Sequence, residues 1–283
     1  MNFLEKIKTK FRSLKKTSLI AKELTDFHDT FLDLAVSEYV NKHPNRFLKF
    51  ANYGFSQSDE DGLTLEIVRR LELVAEDASF AEFGIGTGVE NNTIVLGALG
   101  YAGCWFGNQD LEIAPPTKID FMKCWITRDN IVDLYQSWTI SRNIHNVDLI
   151  SIDLDYNDYH LVGKLLEHNC RPKIWIVEYN AKFPPPVEFV VPYDPGAIWD
   201  GSDYFGASIS SYEKLFASHG FSLIACNPST GANAFFVDNS YRHLFNDAPS
   251  KVEDLYCRPN YSLRRAFGHR KNPATIELLL KKT

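Results

Sequence analysis

What the chain lacks narrows it quickly. It has five cysteines in 283 residues (Cys104, Cys124, Cys170, Cys226 and Cys257), an odd number with no C-x-x-C pair. That excludes a disulfide framework and a thiolate zinc site and suits a reducing cytoplasm. No apolar run approaches the ~20 residues that span a bilayer. The N-terminus has no signal peptide to read, because Lys6, Lys8, Lys10, Arg12, Lys15 and Lys16 interrupt any apolar h-region. A basic excess is missing too: the formal charge of −6 argues against a nucleic-acid partner, since phosphate contact needs a basic surface. With 45% hydrophobic and 23% charged residues, the composition is that of a folded globular protein.

Four stretches follow from patterning. Residues 1–24 place Phe3, Leu4, Ile7, Phe11 and Leu14 at helical spacing among lysines and arginines. This predicts a basic amphipathic helix, which either lies on an anionic membrane surface or packs on the core or a partner. Residues 25–76 read as a helical extension, with helices over about 26–43 and 63–73. From 77 to 240 short apolar runs alternate with helical stretches. The runs are Phe80–Phe83, Cys104–Phe106, Val147–Ile152, Ile174–Val177, Leu223–Ala225 and Ala234–Val237; the helices are Asn91–Leu99, Asp129–Ser137, Tyr159–Glu167 and Ser210–His219. This alternation predicts an α/β fold with a mostly parallel sheet, closed by a hairpin around Gly231 and Asn233. Residues 241–283 form a tail or lid carrying Arg264, Arg265, His269, Arg270 and Lys271.

The turn Phe80-Ala-Glu-Phe-Gly-Ile-Gly-Thr-Gly88 carries the first chemistry. Glycines at 84, 86 and 88 after a strand let a ligand pass beside bare backbone. A dinucleotide fingerprint needs glycine at 89, where the chain has Val89. An acid at 82 before alternating glycines suits S-adenosylmethionine better, whose ammonium and sulfonium are stabilised by acidic groups. By itself the turn leaves the cofactor open.

Further segments occur in order: Ser56-Gln-Ser-Asp-Glu-Asp-Gly62, Ser151-Ile-Asp-Leu-Asp-Tyr-Asn-Asp-Tyr159, Val177-Glu-Tyr-Asn180, Tyr204-Phe-Gly-Ala-Ser208 and Gly231-Ala-Asn-Ala-Phe-Phe-Val237. With the glycine turn they resemble the FkbM-like class I methyltransferases, many of them found among bacterial surface-polysaccharide genes. The resemblance runs from about Phe55 to Val237. It implies a Rossmann-like, seven-stranded methyltransferase fold with an antiparallel C-terminal hairpin, and S-adenosylmethionine as donor. It further implies that Glu82, Gly84, Gly86 and Gly88 line the methionine portion, that Asn91, Asn92 and Thr93 open the next helix, and that Ser56 and Gln57 close over the cofactor. One departure is visible. The second strand ends in Cys104-Trp-Phe-Gly-Asn-Gln-Asp110, with Gly107 where such enzymes place a ribose-binding acid. Asn108, Gln109 or Asp110 would take that part.

Asp153, Asp155, Asn157 and Asp158 follow one strand, and Glu178 and Asn180 end the next. Neighbouring parallel strand ends face one cleft, so two uses are open besides capping of the next helix. Asp155, Glu178 or Asp158 could act as general base, with Asp153 on the cofactor. Alternatively Asp153, Asp155, Glu178 and Asn180 could hold Mg²⁺ and acidify a sugar hydroxyl. Trp199, Tyr204 and Phe205 are candidates for an aromatic sugar platform, and His160 reads as a helix-start histidine. The leading expectation is an O-methyltransferase acting on a saccharide or surface-glycan precursor in the cytoplasm, with residues 1–24 touching the inner membrane face. The alternatives are a small-molecule N- or O-methyltransferase, a degenerate methyltransferase serving as an interaction subunit, and, last, a nicotinamide oxidoreductase.

Overall fold

Period-two apolar runs separated by amphipathic helices assemble in the computed structural model into one twisted sheet; residues 30–259 are described here. The basic helix expected at 1–24 and the cationic tail beyond 259 lie outside them. The chain divides into two compact units, Met1–Lys42 and His43–Thr283. In the first, residues 30–42 are helical (α1), with Lys42 paired to Glu38 on successive turns.

The second unit holds the sheet. Its strands are β1 (Ser79–Phe83), β2 (Ala102–Gly107), β3 (Ile119–Lys123), β4 (Leu149–Ile152), β5 (Ile174–Glu178), β6 (Phe221–Cys226) and β7 (Asn233–Asp238). The order is β3-β2-β1-β4-β5-β7-β6. The first five run parallel, and β7 runs antiparallel to both β5 and β6. β1, β4, β6 and β7 carry buried side chains almost throughout, as strands covered on both faces must. The intervening helices are α2 (Glu60–Arg70), α3 (Ile94–Ala98), α4 (Ile131–Ser141), α5 (Asp158–Glu167), α6 (Ile209–Ser218) and α7 (Val252–Leu255).

Two sequence expectations need correcting. The helix expected over Asn91–Leu99 is the shorter α3, because Asn92 and Thr93 give their backbone N–H groups to Glu82 before the helical bonds begin. β3 has no counterpart among the expected runs. It is an edge strand, only its first residue is buried, and Asp120 and Lys123 break its apolar pattern.

α2 is fastened at its C-terminal end by Arg70. Its guanidinium lies against the rings of Phe47, Phe50 and Phe245, at 4.7, 5.4 and 5.2 Å. It also makes a two-pronged pair with Asp247 at 2.6 and 2.8 Å, which holds the Asp247 carboxyl below its ordinary range. This clamp ties the C-terminal end of α2 to residues 46–50 and to the segment around Asp247.

Candidate active site

The order of strands reverses between β1 and β4, and open α/β sheets bind ligands at the carboxyl ends of strands beside such a reversal. The glycine turn sits there. Gly84 has φ of +97°, and a Cβ on it would fall 1.7 Å from the Asp153 carbonyl oxygen, so only glycine lets the turns after β1 and β4 touch. Gly86, at φ of +54°, has no atom near its missing Cβ and opens onto a cavity instead.

Two cavities share the Gly84 and Gly86 backbone together with Asp153, Asp155 and Trp199. The larger, about 390 Å³, reaches from the glycine turn to the β6–β7 hairpin. Its walls include Gln57, Glu82, Asn91, Asn92, Glu178, Phe205, Thr230 and Asn233. The smaller, about 200 Å³, lies at the ends of β2 and β3 among Gly107, Asn108, Gln109, Trp125, Ile126 and Ile198. At Gly107 a Cβ would stand 3.0 Å from the Ile85 side chain, so the turn of β1 leaves little room there for an acidic side chain. Asn108 and Gln109 are the polar side chains at that strand end which line the smaller cavity.

Of the residues expected from sequence, the structure brings Gln57, Glu82, Gly84, Gly86, Asn91, Asn92, Asp153, Asp155 and Glu178 to the larger cavity. It places the others differently. Ser56 is buried with its hydroxyl on Ser58 O and Glu60, away from the cavity wall. Gly88 packs against Leu111. Thr93 bonds Glu82 and accepts from the Trp105 indole N–H at 2.9 Å. Asp158 is buried at the start of α5, where its Oδ1 accepts from Leu154 N–H at 2.7 Å and closes the turn after β4. Asn180 has its amide spent: Nδ2 donates to Asp203 O and Phe205 O, and Oδ1 accepts from Lys182 N–H. It holds the 203–205 loop. Asn157 gives no cap to α5 and instead ties the turn to the Asp194 backbone at 2.7 and 3.2 Å. His160 Nε2 meets Val191 O at 2.7 Å, a structural bond.

The acids around the cleft fall into two kinds. Glu82 accepts from Asn92 N–H at 2.8 Å, from Thr93 N–H at 3.0 Å and from the Thr93 hydroxyl. Burial still pushes its carboxyl up to about 7. Asp153, Asp155 and Glu178 each offer a carboxylate oxygen within 4.8 Å of the others. Burial, then mutual repulsion, raises Asp153 and Glu178 well above the usual range. Glu178 Oε2 is buried with no hydrogen-bond partner among the described residues. Among the described residues, no lysine, arginine or histidine lines the larger cavity. Crowded carboxylates without a counter-charge are costly, and a cationic or hydrogen-bond-donating ligand relieves them. Hard oxygen donors so spaced fit a divalent cation such as Mg²⁺.

Reasoning from sequence missed a set of residues beneath the cavity floor. Asp59, Glu60 and Asp61, at the start of α2, are buried. Asp61 Oδ2 accepts from Ser56 N–H at 2.9 Å and from Phe55 N–H. Asp59 accepts from Ser229 N–H, and Glu60 from Asn227 and Asn233. The signal was their place in the segment Ser56-Gln-Ser-Asp-Glu-Asp-Gly62, to which no role was given beyond Ser56 and Gln57.

The strand order, with its antiparallel β7 inserted between β5 and β6, and the ligand cleft at the β1–β4 reversal define a Rossmann-like class I methyltransferase fold. No family model and no curated protein matches the chain. Among solved structures it is similar to a protein described as a hemolysin from Lactococcus lactis (14% identity, 72% of this chain and 94% of that one, TM-score 0.42). It is also similar to cofactor-bound Rv0187 from MTB (12%, 74% and 89%, 0.41). A third is the MycE methyltransferase of the mycinamycin biosynthetic pathway, in complex with Mg, SAH and mycinamycin VI (12%, 69% and 54%, 0.40). Likeness at that level carries nothing about activity. No helix among the described residues is long and apolar enough to cross a membrane.

Proposed function

We propose that the chain is an S-adenosylmethionine-dependent methyltransferase, FkbM-like in its motifs, that methylates a hydroxyl of a saccharide or surface-glycan precursor. The observation that carries this reading is the pair of cavities meeting at the bare backbone of Gly84 and Gly86, with unneutralised acids at the junction. The smaller cavity suits the adenosyl end, with Asn108 and Gln109 serving the ribose in place of an acid at Gly107. The larger suits the methionyl end and the acceptor.

When bound, S-adenosylmethionine supplies an electrophilic methyl group on a sulfonium, and its departure leaves a neutral thioether. The chain's part is to align the acceptor oxygen with that methyl and remove its proton. Asp155 or Glu178 is the base, and a carboxylate raised by burial accepts a proton more readily than a solvated one. Alternatively, Asp153, Asp155 and Glu178 would hold Mg²⁺, which would orient and acidify the hydroxyl. Trp199 and Phe205, 6.2 Å apart and edge to face on the cavity wall, offer apolar faces to a sugar ring. Cytoplasmic placement with residues 1–24 against an anionic inner membrane face belongs to the same proposal; their deletion should abolish binding to anionic vesicles.

The test is acceptor screening by release of S-adenosylhomocysteine. Free sugars, glycan fragments and lipid-linked glycans are compared with phenols and amines. Release on a saccharide is expected. Release only on phenols or amines would move the acceptor class, and release on none would remove the enzymatic reading.

A further inference from the structure

The larger cavity holds a second buried polar side chain with an unused atom, at a position the reaction scheme above leaves unassigned. Asn233, only 2% exposed, opens β7 and stands opposite Glu178 in the antiparallel register of β5 and β7. Opposed residues of such a pair have side chains about 5 Å apart. Asn233 Nδ2 donates to Glu60 Oε1 at 3.2 Å, which settles the direction of the amide. Asn233 Oδ1 is then the atom left over, buried and without a partner among the described residues, on a residue that lines the cavity. Glu178 Oε2 is in the same state. Two neighbouring, desolvated acceptors with no donor between them are a costly arrangement unless a ligand brings the donors.

We infer that Asn233 Oδ1 and Glu178 Oε2 form a two-acceptor clamp for an N–H- or O–H-rich group on the methyl acceptor, and that Glu60 is the residue that positions it. Glu60, 1% exposed, accepts from Ser56 Oγ, Ser58 N–H, Ser58 Oγ, Asn227 Nδ2 and Asn233 Nδ2. It therefore ties the loop before α2 to the β6–β7 hairpin while dictating which end of the Asn233 amide meets the ligand. The clamp rests on the methyltransferase reading, because only that reading makes the β5–β7 side of the cavity the acceptor side.

Three cofactor analogues probe it without a known acceptor. S-adenosylhomocysteine has a neutral thioether at the reacting position. Sinefungin has an amine-bearing carbon there, and so projects a donor group toward the acceptor side. 5′-Methylthioadenosine lacks the amino-acid end altogether. Calorimetry on the full chain should show sinefungin binding about tenfold or more tighter than S-adenosylhomocysteine, as suits a charged donor meeting two buried acceptors. Asn233→Ala should abolish most of that preference, and its remaining S-adenosylhomocysteine binding shows that the variant folds. Glu60→Gln should do the same, because a glutamine amide can turn the Asn233 oxygen away from the cavity. The exchanged pair Glu60→Gln with Asn233→Asp restores one donor, one acceptor and the total charge. Asn227 Nδ2 has Asp59 Oδ1 and Thr230 Oγ1 as other acceptors, so it tolerates the exchange. The double variant should regain the sinefungin preference.

An unchanged preference in Asn233→Ala, or no preference in the wild type, overturns the clamp and leaves the methyltransferase reading standing. If Asn233→Ala instead erases the difference between S-adenosylhomocysteine and 5′-methylthioadenosine, the clamp holds the cofactor's own ammonium, and the acceptor assignment is overturned. Failure of the wild type to bind any of the three analogues overturns both readings.

Discussion

Two groups of acids border this cleft and have opposite surroundings. Glu82, Asp59 and Glu60 are buried among donors that face them: backbone N–H groups, hydroxyls and amides that hold α3, the loop before α2 and the β6–β7 hairpin in place. Asp153, Asp155 and Glu178 gather within reach of one another at a cavity with no basic residue among the described residues, where Glu178 keeps a buried oxygen unpaired. Both groups carry raised carboxyls, so titration does not tell them apart. Hydrogen bonding does. A satisfied buried acid is part of the scaffold, whereas an unsatisfied one beside a cavity is a standing cost that a ligand offsets.

The sharpest way to break this comparison is to remove acids from each group and measure both turnover and melting. Glu178→Gln and Asp155→Asn should each lower turnover by about 10²-fold or more, the usual worth of a positioned base. Their melting temperatures should hold or rise, because repulsion within the cluster is relieved. Glu82→Ala should do the reverse in kind: it strands Asn92 N–H, Thr93 N–H and the Thr93 hydroxyl in the interior and costs about 3 kcal/mol of stability, read by denaturant unfolding. A Glu82→Ala protein as stable as the wild type would dissolve the distinction.

A smaller effect sharpens it through pH. Asp158 stands beside the second group, with one oxygen on Leu154 N–H and the other unpartnered among the described residues, and burial pushes its carboxyl up to about 7. A carboxyl raised in the folded state holds its proton there and loses it in the unfolded chain. Its contribution is therefore fully present below the unfolded value near 3.8 and lost as pH rises through about 7. Asp158→Asn keeps the bond from Leu154 and removes the titration. It should be close to neutral near pH 3.5 and stabilising by a few degrees at pH 8, as measured by paired thermal melts. An equal difference at both pH values would show that Asp158 does not titrate in this range.

Much of this architecture was legible in the residues. Six of the seven strands show as apolar runs, because strands covered on both faces leave a continuous signal. β3 does not, because an edge strand with Asp120 and Lys123 in it resembles a loop. The glycine turn and the carboxylates after β4 and β5 were visible as motifs, and the structure does bring Glu82, Gly84, Gly86, Asp153, Asp155 and Glu178 to one cavity. What sequence could not show is which polar atoms are already used. Asn180 and Asn233 look equivalent on paper, but the first has every amide function bound within the fold and the second has an oxygen to spare. Likewise the burial of the acids at 59–61 is set by contacts with the distant β6–β7 hairpin, which their own segment does not show.

The central claim is that the unpartnered side of this cleft, with the cavities on either side of the glycine turn, accommodates S-adenosylmethionine. Calorimetric titration of the full chain with S-adenosylhomocysteine, with and without Mg²⁺ and with NAD as the control, tests it most directly. The account predicts micromolar binding of S-adenosylhomocysteine and no heat from NAD. Absence of S-adenosylhomocysteine binding in both conditions would contradict it and leave a methyltransferase fold serving another purpose.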